Sequence, residues 1–465
     1  MRCAGRSPSS TSIEAFPSGA SGTSPRTGAP LFAIGRPHTC GALFFLALLC
    51  ALIGAHIQAT FGKTGADRLK GVIELVRTYD CIIAGAGPAG STALRQLALL
   101  GVKAVAVDKA VFPRHKPCGG AISALTSREL DFDWRDLVEA SLHTVELAHK
   151  YSHPLLCKSD QPFAHFVMRE RFDYRLLEKA VEAGGEFLPG HAVTGVEREE
   201  DGWVIVHTTR GDLKARVVIG ADGANGEVAH SAGLFNFERG IAIEAEVEPT
   251  DELARAYRDK VYLSYADPPW GYGWIFPKSG RLSVGVGTFS RRRGAIKDAF
   301  ERFLEQTGLA GLPMQVYGHP IPTGGTRRRI WKDRILLVGD AAGLNDPLSG
   351  EGIAHAVLSG KIAAKHVADA LDRGEFDFSG YQVEIDERIV SELARAAWIA
   401  EKLYTFPRLF FWLFEKSPET LALYFRLVRG EISYADLIDH LAGQFVRFNL
   451  FREERGGRAA SQKPY

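Results

Sequence analysis

The run YDCIIAGAGPAG, from Tyr79 to Gly90, joins a short apolar segment to a glycine-rich turn. Tyr79 to Ala84 suits a strand buried on both faces, as in a parallel sheet. Gly85, Gly87 and Gly90 then stand in Gly-x-Gly-x-x-Gly spacing, with Pro88 and Ala89 opening a helical stretch through Leu100. The first glycine allows the tight turn, the second lets backbone N–H groups reach a pyrophosphate, and the third lets helix and strand pack closely. The helix N-terminus then receives the negative charge. A second strand, Lys103 to Val107, ends at Asp108 and Lys109, where the carboxylate is placed for the ribose hydroxyls of an adenosine. Strand, turn, helix, strand and terminal acid in register predict a dinucleotide-binding unit.

Two later segments repeat the strand-to-small-residue pattern. Ala215 to Ile219 runs into Gly220-Ala221-Asp222-Gly223, and Ile335 to Val338 runs into Gly339-Asp340-Ala341-Ala342-Gly343. Both deliver an aspartate to the carboxyl edge of a doubly wound sheet, where such folds bind ligands. Gly339-Asp340 resembles the flavoprotein motif whose aspartate binds ribitol, and the three motifs together describe one FAD stretched across the sheet. No second nucleotide fingerprint follows: Gly285-Val286-Gly287 has Ser290 where a third glycine is needed. NADPH, or whichever other reductant serves as electron donor, is therefore expected to visit transiently.

Three further segments are similar to geranylgeranyl reductases of the p-hydroxybenzoate hydroxylase-like superfamily. Lys116-Pro117-Cys118-Gly119-Gly120 resembles the family's Cys-Gly-Gly segment beside the isoalloxazine. Arg169-x-x-Phe172-Asp173, placed at the opening of a helix 172–183, resembles its arginine motif near the cofactor. Tyr272-Gly273-Trp274-Ile275-Phe276-Pro277 resembles an aromatic strand of its substrate cavity. Pro347 to Gly352, with Gly350, Gly352 and then Ile353, resembles the flavin-facing loop, and Gly430 to Tyr434 is a weaker match. The resemblance spans about 77 to 440. It implies an FAD-dependent reductase that hydrogenates the double bonds of a prenyl chain by hydride transfer from reduced flavin, acting on a prenyl lipid or a prenylated small molecule.

An isolated prenyl double bond is a poor electrophile, so the protein must supply a proton donor beside the flavin and keep water out. Cys118 is the candidate, because an unperturbed thiol is protonated at neutral pH; the competing reading is a small packing residue. The substrate wall is placed on Val261 to Tyr265 and Tyr272 to Pro277, with Tyr265, Tyr272, Trp274 and Pro277 as contacts; Tyr272 and Trp274 share one face in strict alternation.

The expected architecture is α/β: a Rossmann-type FAD-binding domain (77–140, 168–234 and 329–375) with an inserted mixed-sheet substrate domain (141–167 and 235–328) and a helical C-terminal part (376–465). At 465 residues, 46% hydrophobic and 24% charged, the chain has ample core. Its net charge of +1 gives no field for nucleic acid. Six cysteines without metal-clip spacing predict a reducing compartment and no metal. Residues 1–76 read as a disordered leader with one apolar segment, 37–61. A membrane anchor, a targeting peptide and a start assigned too far upstream compete there, and the abrupt start of enzyme-like sequence near Val72 favours the last.

The location expected is cytoplasmic with peripheral membrane contact, since Leu403, Phe406, Phe410, Leu413 and Phe414 form an apolar stripe able to pack or to meet lipid. The Arg291–Arg293 and Arg327–Arg329 runs are read as solvated loop ends, the alternative being phosphate binding. Two rival functions share the pattern: an FAD monooxygenase or halogenase, and a non-catalytic prenyl-lipid carrier.

Overall fold

The computed structural model describes residues 76–236, 239–289 and 296–443. The leader with its apolar run and the Arg291–Arg293 run lie outside the described residues.

Arg77–Ala84 is the central strand of an eight-stranded sheet. Leu213–Gly220 and Ala104–Asp108 flank it in parallel, and Ile335–Leu337 and Glu186–Pro189 extend the parallel array on either side. Cys81 to Ala84, Val105 to Val107 and Val217 to Ile219 are wholly buried, as in a parallel sheet covered on both faces. The register aligns Val107, Ala84, Gly220 and Leu337 in one row. Asp108, Gly85, Ala221 and Gly339 therefore leave the sheet along a single carboxyl edge.

The helices Pro88–Leu99 and Ile353–Arg373 cross at this edge. Their closeness needs Gly360, where a β-carbon would stand 2.4 Å from the Ala89 carbonyl oxygen.

A seven-stranded sheet runs in the order Met314–Pro322, Arg239–Val247, Arg281–Thr288, Gly271–Lys278, Val261–Tyr265, Thr144–His149, Ser152–Lys158. All its pairs are antiparallel except that of Val261–Tyr265 with Thr144–His149. One face takes the helix Ile296–Gln306, whose Phe303 and Phe300 pack with Ile275 and Val284. Alternation along Gly271–Lys278 then sends Tyr272, Trp274 and Phe276 to the other face. A small sheet of Ala121–Ile122, Ala164–Val167 and Val138–Leu142 lies beside Cys118 in sequence. Ser391–Thr405, Pro407–Lys416 and Pro418–Val428 pack as C-terminal helices on Leu142, Val145 and Tyr265.

One expected boundary is corrected. The helix placed at 172–183 spans Arg169–Glu182. Arg169 pairs with Asp173 one turn on, which makes it the first helical residue, and the chain leaves the helix into Gly184 at φ +104°.

Candidate cofactor and active site

Gly85 adopts φ +100°, and a β-carbon there would stand 2.3 Å from the Ala221 carbonyl oxygen. One on Gly90 would lie 1.9 Å from the carbonyl oxygen of Gly85. The protein's own backbone thus demands both glycines. Gly87 is different: a β-carbon would meet nothing nearer than Arg114 Nη2 at 3.7 Å, so the space above it is open. The helix beginning at Pro88 has no side-chain cap among the described residues, nor has the one beginning at Ile353 after Gly352. Their first-turn N–H groups are available to an anion.

Asp108 holds the turn from below, accepting the N–H groups of Ala86 and Ala110 at 2.8 Å each, while Lys109 is exposed. Asp222 reaches the same edge but turns to the helix Glu227–Ser231, accepting the Val228 N–H at 3.0 Å. Burial pushes its carboxyl up to about 6, against the pull of that N–H.

Asp340 follows Gly339, which stands at φ +53° against Ala89 and Ala356 and donates its N–H to Ser359. Its carboxylate accepts from Asn345 Nδ2 at 3.0 Å and lies 3.9 Å from His319 Nε2. Lys116 Nζ in turn lies 2.6 Å from the same His319 nitrogen. Burial works to raise the Asp340 pKa, but His319, Lys116 and Asn345 together hold it below the usual carboxylate range. Burial also lowers the Lys116 pKa, with Asp340 opposing.

Cys118 accepts the Gly120 N–H at 3.4 Å, with Arg169 near it. That arginine is buried and forked onto Asp173 at 2.8 and 2.9 Å. Burial disfavours its charge, yet Asp173 outweighs this and raises its pKa. A β-carbon on Gly119 would stand 2.6 Å from the Phe276 ring, and one on Gly120 would stand 2.2 Å from the Val167 carbonyl oxygen. The segment is thereby pressed flat against the substrate sheet.

The rings of Tyr272, Trp274 and Phe276 follow one another at 6.1 and 6.2 Å, with Tyr265 5.3 Å from Tyr272. Tyr272 donates to the Ser349 carbonyl at 2.6 Å, which fixes the wall to the loop carrying Gly350 and Gly352. Gly350, at φ +74°, has no room for a β-carbon beneath Tyr272 Oη, and one on Gly352 would strike Asn345 Oδ1 at 1.9 Å. Ile353 packs in one apolar cluster with Cys118. Pro277 is paired with Leu282 and faces the helix side, so the structure does not bring it to the Tyr272 face.

Sequence reading missed three residues. Arg114 stands over Gly87, 3.1 Å from Asp173, and His319 reaches the site from a different sheet; neither follows any spacing rule. Phe276 was read only as part of a motif. The second arginine run is committed to the protein. Arg327 pairs with Asp386, Arg328 donates to the Thr323 carbonyl, and Arg329 covers Trp331.

These residues fit FAD. Two uncapped helix starts and an open Gly87 with Arg114 beside it suit a pyrophosphate. The buried Trp274 Nε1, which has no partner among the described residues, lies 3.7 Å from a β-carbon position on Gly119. The polar atom and the flat glycine segment make a cradle for a planar ring with hydrogen-bonding edges.

Known proteins agree. The family described as FAD binding domain matches residues 78–375, so the chain is an FAD-binding oxidoreductase. A geranylgeranyl diphosphate reductase of Rhodobacter capsulatus is 34% identical over 64% of this chain and 77% of its own. A digeranylgeranylglycerophospholipid reductase of Methanopyrus kandleri is 31% identical over 70% and 90%. The crystal structure of a geranylgeranyl bacteriochlorophyll reductase-like protein from Thermoplasma acidophilum superposes with a TM-score of 0.63 at 26% identity, over 71% of this chain and 88% of that one. The chain belongs to the geranylgeranyl reductase family. A solved halogenase, 18% identical with a TM-score of 0.58, shares the fold.

Proposed function

We propose that this enzyme hydrogenates carbon–carbon double bonds of a prenyl chain, with NADPH or another donor replenishing its electrons. The observation that supports it is the contact of Gly119, the residue after Cys118, with Phe276 at the end of an aromatic row. Bound FAD supplies the two-electron reducing equivalent. The chain's own residues do the rest. Arg114 and the two helix starts hold the phosphates, and Asp108 and Asp340 hold the sugar and ribityl hydroxyls. Tyr265, Tyr272, Trp274 and Phe276 lay the apolar substrate flat and exclude water, each buried methylene contributing about 0.8 kcal/mol. Cys118 Sγ–H stands as proton donor to the second alkene carbon.

The relatives' names support a geranylgeranyl-type chain and differ in what the chain is attached to, a diphosphate in one and a glycerophospholipid in the other. A lipid of this kind resides in a bilayer, which supports peripheral contact of the enzyme with a membrane surface. Among the described residues no helix is long and apolar enough to cross one.

Mass spectrometry of lipids from cells with and without the gene tests the reading. A prenyl species gaining two hydrogens per reduced bond only when the gene is present is the expected result. Identical prenyl saturation in both would overturn it.

A further inference from the structure

An aromatic track runs from the surface to Cys118. Trp270, 42% exposed, lies 6.2 Å from Tyr404, and Tyr404 lies 6.3 Å from Tyr265. Tyr265 continues to Tyr272, Trp274 and Phe276, and so to Gly119. Past Tyr404 the chain enters the helix Pro407–Lys416, where Phe406, Leu409 and Trp412 recur every three residues and are 55%, 45% and 45% exposed.

The same helix turns Phe411 and Phe414 inward. Its Phe410 and Leu413 line a void of about 20 Å³ that reaches Leu348, whose carbonyl accepts from Tyr404. This helix therefore carries apolar residues on its outer as well as its inner side, a pattern that calls for a second apolar surface.

The rim is charged. Arg408 and Lys416 are exposed on the helix itself, and Lys402 covers the exposed Trp398 at 5.8 Å. Lys150 and Arg408 both act on His149, whose ring lies 5.3 Å from Phe411. Glu401, Glu415 and Glu419 are the acids of the same stretch, and Glu401 is paired with Lys402. Exposed tryptophan, phenylalanine and leucine with charged residues of both signs beside them is the composition of an element lying in a lipid interface.

We propose that the face made by Trp270, Phe406, Leu409 and Trp412 docks on a bilayer surface and presents the outer end of the aromatic track to it. The docking deepens the prenyl-reductase reading, since it gives the apolar substrate a route that never crosses water. Its physical basis is independent of turnover.

The test uses the full chain, holding FAD, with vesicles of phosphatidylcholine containing about one-third phosphatidylglycerol and no substrate. The parent protein co-sediments with them, and the Leu409→Asp, Trp412→Asp double variant binds at least about tenfold more weakly at unchanged flavin content. The apolar run Gly41–Ala55 offers a second route to lipid, so a local readout accompanies sedimentation. Acyl-brominated phosphatidylcholine quenches tryptophan fluorescence, and Trp412→Phe removes part of that quenching. Parent protein left in the supernatant overturns the proposal, as does quenching unchanged by Trp412→Phe. Concentration-dependent self-association abolished by Leu409→Asp, without vesicle binding, assigns the face to a second copy instead. Vesicle binding without alkene reduction would sink the substrate reading and leave the docking face standing; the converse would do the opposite.

Discussion

A β-carbon on Gly90 would stand 1.9 Å from the carbonyl oxygen of Gly85, two backbone segments in contact where the first helix leaves the sheet. Neither is the end of a flexible side chain, so neither can yield cheaply. Gly90→Ala is expected to push the helix start away from the turn and abolish FAD retention. The ratio of flavin absorbance to protein absorbance reads this directly, and should fall toward zero while Gly101→Ala, in open space, is the control for strain at φ +75° alone.

Asp173 is wholly buried and pairs with two arginines, Arg169 at 2.8 Å and Arg114 at 3.1 Å. Asp173→Ala leaves a buried guanidinium unpaired, which costs about 3–5 kcal/mol. Urea denaturation should show a lower midpoint of that size with an unchanged slope. Lost flavin should accompany it, because Arg114 loses its anchor over Gly87.

Cys118→Ser replaces the thiol by a poorer acid of similar size. The variant is expected to remain yellow and to reduce the alkene about a hundredfold more slowly. Stopped-flow measurement of flavin reoxidation by the prenyl substrate checks it; equal rates in the two proteins would make Cys118 a packing residue.

Glu351 lies between Gly350 and Gly352 and is hydrogen-bonded by Ser123 and Thr126. Burial pushes its carboxyl up to about 7, the hydroxyl of Ser123 opposing and the charge of Asp346 adding. A raised folded pKa means the native state holds the proton more tightly than the unfolded chain. Stability from this group is full below the ordinary glutamate pKa and is lost as pH rises toward 7. Glu351→Gln should therefore flatten the fall in thermal midpoint between pH 5 and 8, which scanning calorimetry across that range measures.

Much of the fold was legible because parallel strands buried on both faces are written as short apolar runs, as at Ile82 to Ala84 and Val217 to Ile219. The seven-stranded sheet was legible where alternation is strict, at Tyr272, Gly273 and Trp274. What the sequence hid was convergence across sheets. His319 reaches Asp340 from an edge strand of the other sheet, and Arg114 reaches Gly87 along a loop, so nothing in their local spacing marks them. Pro277 was misread in direction for a related reason: one residue along a strand changes the face. The start of the helix at Arg169 was obscured because no capping side chain precedes it.

The central claim is that bound FAD passes its electrons to a prenyl double bond at the wall of Tyr272, Trp274 and Phe276. Its most direct test is a single turnover without oxygen. The FAD-loaded protein is reduced chemically, freed of excess reductant, and mixed anaerobically with geranylgeranyl diphosphate or a geranylgeranylated glycerophospholipid. The account predicts that the yellow absorbance returns as the lipid gains two hydrogens per flavin. Flavin that stays bleached with both lipids until air is admitted would contradict it.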